Sequence, residues 1–210
     1  HIRERVGKVD VILGCSDLPH YYLEYIVDLL DAPLFYVHGN HDKGLREPAA
    51  GSLVPVPGDL GWGVDLHMRA VSYKGLLLAG FEGCRVYNPG APFQYDESAV
   101  RWQAFLLGCR LHLNRLRSGR YVDILVTHAP PRGIHDAEDL PHQGFTTYLT
   151  FLRRFRPLLM VHGHKHVYNH NEVTETNYAG TRVLNTYGYR VIELVPSQNG
   201  SGWKLASSSR

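Results

Sequence analysis

The chain has 210 residues, 44% of them hydrophobic and 20% charged, a balance that suits a globular fold and excludes intrinsic disorder. A fold of this length buries about 70% of the surface of its unfolded chain, so neither a disulfide nor a metal is required for folding. A formal net charge of +2 supplies no bulk field for nucleic acid, and the longest apolar runs, Leu76–Ala79 and Leu158–Val161, are too short to span a bilayer. The residues after His1 (IRERVGK) contain no signal-peptide core and read as a helix end leading into a first strand. Val9–Leu13 is that strand, a β-branched run ending at Gly14. Tyr21–Leu30 carries apolar residues at helical spacing and stops before Pro33. Leu34–His38 is a second buried strand, so the first 38 residues form a βαβ unit with a parallel pair. Gly39–Gly63 is a Gly- and Pro-rich loop, followed by strands over Val64–Met68 and Leu76–Gly80. Glu97–Leu116 is a long amphipathic helix with Asp96 or Ser98 as its cap. Then come a strand Val122–Thr127, a loop Ala129–Gly144, a helix Phe145–Phe155 and a strand Leu158–His162. Arg182–Tyr187 and Tyr189–Val195 read as an antiparallel pair turning near Gly188. With no linker or repeat in between, residues 1–210 read as one α/β domain.

Four of these strands run into polar clusters. They are Gly14-Cys15-Ser16-Asp17, Gly39-Asn40-His41-Asp42, His128-Ala129-Pro130-Pro131 and Gly163-His164-Lys165-His166. Ligands of open α/β sheets lie beyond the carboxyl ends of strands, and parallel strands bring those ends to one edge. Asp17, Asn40, His41, His128, His164 and His166 would then converge. They offer oxygen and nitrogen donors and no thiolate, which suits Mn²⁺, Fe or Zn²⁺ in a non-structural site.

The GNHD run, the lone His128 after a strand, and the GHKH run resemble, in the same order, three signatures of the calcineurin-like metallophosphoesterases. Ser16-Asp17 stands where that family has Gly-Asp. The resemblance covers Val9 to about Tyr189. It implies a four-layer αββα sandwich of two mixed sheets flanked by helices. It also implies one or two divalent ions per chain, manganese first among them. Asp17 would bridge the ions, Asn40, His128 and His164 would hold one, and His166 the other. The activity implied is hydrolysis of a phosphomonoester or phosphodiester by metal-activated hydroxide. His41 would be the general acid and Asp42 would orient it, with Asn40, His41 and His142 touching substrate. Two departures stand out. No Asp-x-His motif and no strand to carry it precede Val9, so the fold is expected without its first strand and the second ion is expected to be weakly held. Ser16 replaces a glycine that permits a tight turn.

Each residue alone has a plainer reading: Asp17 as a cap for Tyr21–Leu30, Asn40 as a turn residue, the histidines as packed or solvated. The loop residues His135, Asp136, Glu138, Asp139 and His142 could border the pocket or simply be solvated. The chain has no HC-x5-R, G-x-S-x-G or Walker-type loop, which argues against Cys-phosphatase, serine-hydrolase and NTPase chemistry. The partner expected is a small phosphorylated molecule, with no nucleic acid or membrane indicated. Substrate choice would lie in Gly39–Gly63, Glu82–Asp96 and Arg132–Gly144. Three widely spaced cysteines, with no CxxC pair, suit a reducing cytoplasm. The alternative is a fold of this type that has lost catalysis and serves as a protein-interaction module.

Overall fold

The computed structural model describes residues 2–42, 63–169, 171–197 and 202–206. A short helix α1 (Ile2–Val6) leads to strand β1 (Ile12–Gly14), helix α2 (His20–Leu30) and strand β2 (Leu34–Tyr36). Strands β3 (Gly63–Asp65), β4 (Ala70–Tyr73), β5 (Leu76–Phe81), β6 (Cys84–Arg85) and β7 (Gln94–Tyr95) follow. Helix α3 (Glu97–Ser118) connects to β8 (Ile124–Thr127), and helix α4 (Thr146–Phe155) to β9 (Leu159–His162). The chain continues through β10 (Glu175–Tyr178), β11 (Thr181–Asn185), β12 (Leu194–Pro196) and β13 (Trp203–Leu205). Residues 43–62 of the predicted Gly39–Gly63 loop lie outside the described residues.

Two sheets carry the molecule. The smaller has the order β1-β2-β3 and is parallel throughout, with Leu34 opposite both Ile12 and Gly63. The larger has the order β10-β11-β9-β8-β5-β4 and is mixed: β5, β8, β9 and β11 run parallel, and β4 and β10 close its edges antiparallel.

Period-two alternation sets the layers. On β2, Leu34 and Tyr36 pack with Leu23 and Val27 of α2, whereas Phe35 and its successor Val37 face the larger sheet. On β8, Ile124 and Val126 join that inter-sheet core, and Leu125 turns to the opposite face. There it meets Leu107 and Leu111 of α3 and Tyr148, Phe151 and Phe155 of α4. The sequence of layers is therefore α2, small sheet, large sheet, then α3 with α4, which is the αββα sandwich. Asp96 caps α3 by accepting from Ala99 N–H at 2.7 Å, and Gly119 ends it in the left-handed region.

One expected pair differs. Residues 189–193 form no strand; β11 pairs antiparallel with β10 instead, and β12 pairs with β13. The Ala179-Gly180 turn, with both residues at positive φ, reverses the chain tightly enough to bring β10 onto the outer edge of β11.

Backbone hydrogen bonds continue past the carboxyl ends of the strands, and one of them joins the two sheets. Val37 N–H donates to Gly14 O, Gly83 N–H to His38 O, His128 N–H to Phe81 O, and Gly163 N–H to His128 O. This ladder brings the four polar clusters to one edge.

Candidate metal centre

The turn after β1 is tight because two successive residues adopt the left-handed conformation, Ser16 at φ 51° and Asp17 at φ 65°. Such a conformation costs a non-glycine residue on the order of 1 kcal/mol. It is held in part from the next loop. The Ser16 hydroxyl donates to the Asp42 carboxylate, which also accepts from Gly39 N–H at 2.8 Å. Burial alone would raise the Asp42 pKa, but the neighbouring His38, 3.7 Å away, and hydrogen bonds from Ser16 and Gly39 keep it below the ordinary value. Asp17 Oδ1 accepts from the backbone N–H of His41 at 2.9 Å, leaving Oδ2 free to face inward. Gly39 is required by this contact, because a Cβ there would sit 2.0 Å from Asp17 Oδ1.

His128 links Asp17 Oδ2 to two more side chains. Its Nε2 lies 3.4 Å from that oxygen, 2.9 Å from Asn40 Oδ1 and 3.0 Å from His164 Nδ1. The ligand atoms of Asp17, His128 and His164 all fall within 4.8 Å of one another. The outer contacts of each group decide which atom points inward. His128 Nδ1 donates to Cys15 O at 2.7 Å, so Nε2 carries a lone pair. His164 Nε2 donates to Pro141 O at 2.7 Å, so Nδ1 carries one. Asn40 Nδ2 donates to the Tyr87 hydroxyl at 3.0 Å, which turns Oδ1 toward the histidines. Burial, and after it the neighbouring His128, pushes His164 down to about 3, so this imidazole is neutral at pH 7.

With both rings neutral, four acceptor atoms face one another with no donor among them. That is an unfavourable arrangement for protein groups alone and a fitting one for a cation. Two imidazoles, an amide oxygen and a carboxylate suit Mn²⁺, Fe or Zn²⁺.

The family model for calcineurin-like phosphoesterases matches residues 3–168. The chain belongs to the calcineurin-like phosphoesterases. Comparison with curated proteins gives no match. Membership carries phosphoesterase chemistry at the family level and implies divalent ions, for which the Asp17, His128 and His164 group is a candidate holder.

In this calcineurin-like phosphoesterase, Asp17, Asn40, His128 and His164 are brought together as a set. Asp17 is not the cap of α2, whose N-cap position is Pro19 with no side-chain hydrogen bond. His41 is exposed beside the set, tied to it through its backbone. His142 borders it, with its ring 5.1 Å from that of His164 and its Nδ1 2.5 Å from Asp139. Asp42 and His166 make contacts of their own. The Asp42 carboxylate is turned inward to Gly39, Ser16 and His38, so it braces the loop from below rather than meeting the His41 ring. His166 is exposed and is not among the three residues whose ligand atoms fall within 4.8 Å of one another. Its Nδ1 is 2.8 Å from the Tyr168 hydroxyl and its ring packs on Tyr168 and Tyr187.

The loop after His128 is well organised. Asp136 accepts from Arg132 at 2.8 Å and from the backbone N–H groups of Gly133 and Gly144, both at 3.0 Å. His135 meets His162 at 3.0 Å and Thr176 at 2.9 Å. Asn185 donates to Lys165 O and steadies the last motif. Sequence reasoning missed Tyr87 and the carbonyls of Cys15 and Pro141. A carbonyl carries no residue-type signal, and Tyr87 lies 47 positions from the asparagine that it orients.

Proposed function

We propose that the chain is a metal-dependent phosphoesterase acting on a phosphomonoester or phosphodiester. The observation that carries this reading is the convergence of Asp17 Oδ2, Asn40 Oδ1, His128 Nε2 and His164 Nδ1, all acceptors, each fixed by an outer hydrogen bond. When bound there, a divalent ion would neutralise phosphoryl charge and make hydroxide available near neutral pH.

The residues divide the remaining work. Asp17 offers one oxygen inward while the other grips the His41 backbone, so the acid loop and the ligand set move as one. Cys15 O and Pro141 O fix the tautomers that leave the inner lone pairs exposed. The exposed His41 ring stands at the mouth and protonates the departing oxygen. Asp42 keeps the turn beneath it closed. His166, with two tyrosines on its ring, supports a reading with one firmly held ion.

The interaction-module reading draws on the same engagement of the His166 ring by Tyr168 and Tyr187. One set of experiments separates the two. Metal analysis after dialysis should return close to one ion per chain, falling toward zero in His128→Ala. With added Mn²⁺ the chain should hydrolyse nitrophenyl phosphate or its diester. His41→Ala should keep the ion but lose about 10²–10⁴-fold on esters with poor leaving groups, and less on nitrophenyl esters, which need little protonation. An inert chain that holds an ion would favour the interaction module. Two tightly held ions would reveal a further ligand.

A further inference from the structure

A second group of ligand-type atoms gathers just before the GNHD turn, outside the set around His128. His38 follows β2, Asp65 ends β3 and Glu82 follows β5. One imidazole nitrogen and one oxygen from each carboxylate fall within 4.8 Å of one another. All three residues are buried, at 3%, 8% and 0% exposure. Each is aimed by contacts on its outer side. Asp65 Oδ1 accepts from His67 N–H at 2.8 Å, and its Oδ2 faces His38 Nε2. Glu82 Oε1 accepts from the Tyr95 hydroxyl. His67 Nδ1 accepts from Glu82 N–H at 3.1 Å, so the ring proton sits on Nε2, 3.5 Å from the same Oε1. His67 is therefore a donor to the group and not a ligand. The His38 ring stacks on Phe93 at 4.9 Å and meets Tyr36 edge-on at 5.3 Å.

The separations around His38 are those of metal ligands and not of hydrogen bonds. Its Nε2 stands 3.9 Å from Asp65 Oδ2, and its Nδ1 3.7 Å from Asp42 Oδ2. A charge-assisted N–H···O contact closes to about 2.7–2.9 Å. The buried Nδ1 has no hydrogen-bond partner among the described residues. Two donors bound to one ion at about 2.0–2.2 Å stand roughly 3–4 Å apart, which is the range of the gap between His38 and Asp65.

The geometry points to a second divalent-cation site, built by His38 Nε2 and the carboxylates of Asp65 and Glu82. One imidazole and two carboxylates suit Zn²⁺ or Mn²⁺, and their two negative charges match the two positive charges of the ion. The ion draws electron density from Nε2, so Nδ1–H becomes a stronger donor and closes on Asp42. Asp42 already accepts from Ser16 and Gly39, so occupancy stiffens the turn that carries Asn40 and His41. Three ligands hold less firmly than the four around His128. Dialysis therefore strips this ion, and free metal restores it.

The test uses the full chain carrying His128→Ala and His164→Ala, which disable the first centre, so the result is independent of the metal held there. Calorimetric titration of this chain with Zn²⁺ should show one site of roughly micromolar Kd. Glu82→Gln or Asp65→Asn, added singly, should each weaken it at least about tenfold. The rise in thermal midpoint on adding Zn²⁺ should vanish with the binding. Circular dichroism checks that these near-isosteric variants fold. X-ray absorption of the zinc-loaded chain reads the ligands without the added substitutions, and one imidazole among oxygen neighbours is expected. A Kd that neither substitution changes, or a zinc shell of several imidazoles such as surface histidines would give, overturns the proposal. No uptake up to about 1 mM Zn²⁺ would mean that protein groups alone satisfy the carboxylates, and overturns it as well.

Discussion

Gly39 shows how narrowly a single position is constrained. A Cβ there would stand 2.0 Å from Asp17 Oδ1 and 2.8 Å from Asp17 N, so either the carboxylate or the whole turn must move. That oxygen takes the His41 N–H, and its displacement would rotate Oδ2 away from His128. In Gly39→Ala the expected loss of Mn²⁺ affinity is about 10–100-fold, with a fold penalty of about 1–3 kcal/mol. Calorimetric titration and urea unfolding read the two effects separately; unchanged affinity would mean that Asp17 does not contribute to the site. The four converging residues were legible because each follows a buried strand directly, in a chain where parallel pairing forces strand ends together. The sequence puts Asp42 next to His41, and the turn at Gly39 takes its carboxylate to Ser16 and Gly39. His166 was carried over from the resemblance by position, and its ring instead finds Tyr168 and Tyr187.

At the level of elements, the segment from Pro131 to Phe145 is closed into a loop by its ends, which form a parallel bridge, and by Asp136. Burial would raise the Asp136 pKa, but Arg132 and the N–H groups of Gly144 and Gly133 hold it below the ordinary carboxylate value. Asp136→Ala leaves two backbone donors without their acceptor and takes from Arg132 one of its two carboxylate partners. The loss should be about 1–3 kcal/mol. Because Pro141 O in the same loop fixes His164, metal affinity should fall with it. Asp136→Asn should recover part of the stability, since an amide oxygen can still accept one of the N–H bonds. A stable variant with normal metal binding would detach the loop from the site.

The elements that sequence reading recovered were those buried on at least one face. β5, β8 and β9 are buried at every residue and stand out as apolar runs. β10 was missed because Glu175-Thr176-Asn177-Tyr178 is an edge strand with alternate residues exposed, so pairing and not burial makes it a strand. Residues 189–193 misled for the converse reason. Tyr189, Val191 and Ile192 look β-forming, yet Tyr189 and Val191 remain 57% and 58% exposed, with no neighbouring strand for them to pair with among the described residues.

For the whole molecule, buried neutral histidines set the response to acid. Burial pushes both His162 and His164 down to about 3 in the folded chain, against an ordinary 6.5 when unfolded. Below pH 6.5 the unfolded chain takes up protons that the folded chain refuses. Stability should therefore be flat above that value and fall between pH 6.5 and 3, by on the order of 1 kcal/mol per pH unit for each histidine. The lowered carboxylates Asp42 and Asp136 add to the loss only below about pH 4, so the window from 6.5 to 4.5 belongs to the histidines. Urea midpoints in chelator at pH 7, 6 and 5 check the slope; equal midpoints would mean that these rings already carry a proton when folded. The ligand set also has a mechanical meaning. Asp17 and Asn40 hang from the three-stranded sheet, and His128 and His164 from the six-stranded one, so the site straddles the seam where the sheets could shear. A cation held by all four would act as a rivet through both layers. Chelation should then quicken amide exchange along β1 and β2, which have only α2 behind them, while the interior strands β8 and β9 keep their protection. If all four strands respond alike, the sandwich slides as one block and the rivet is idle.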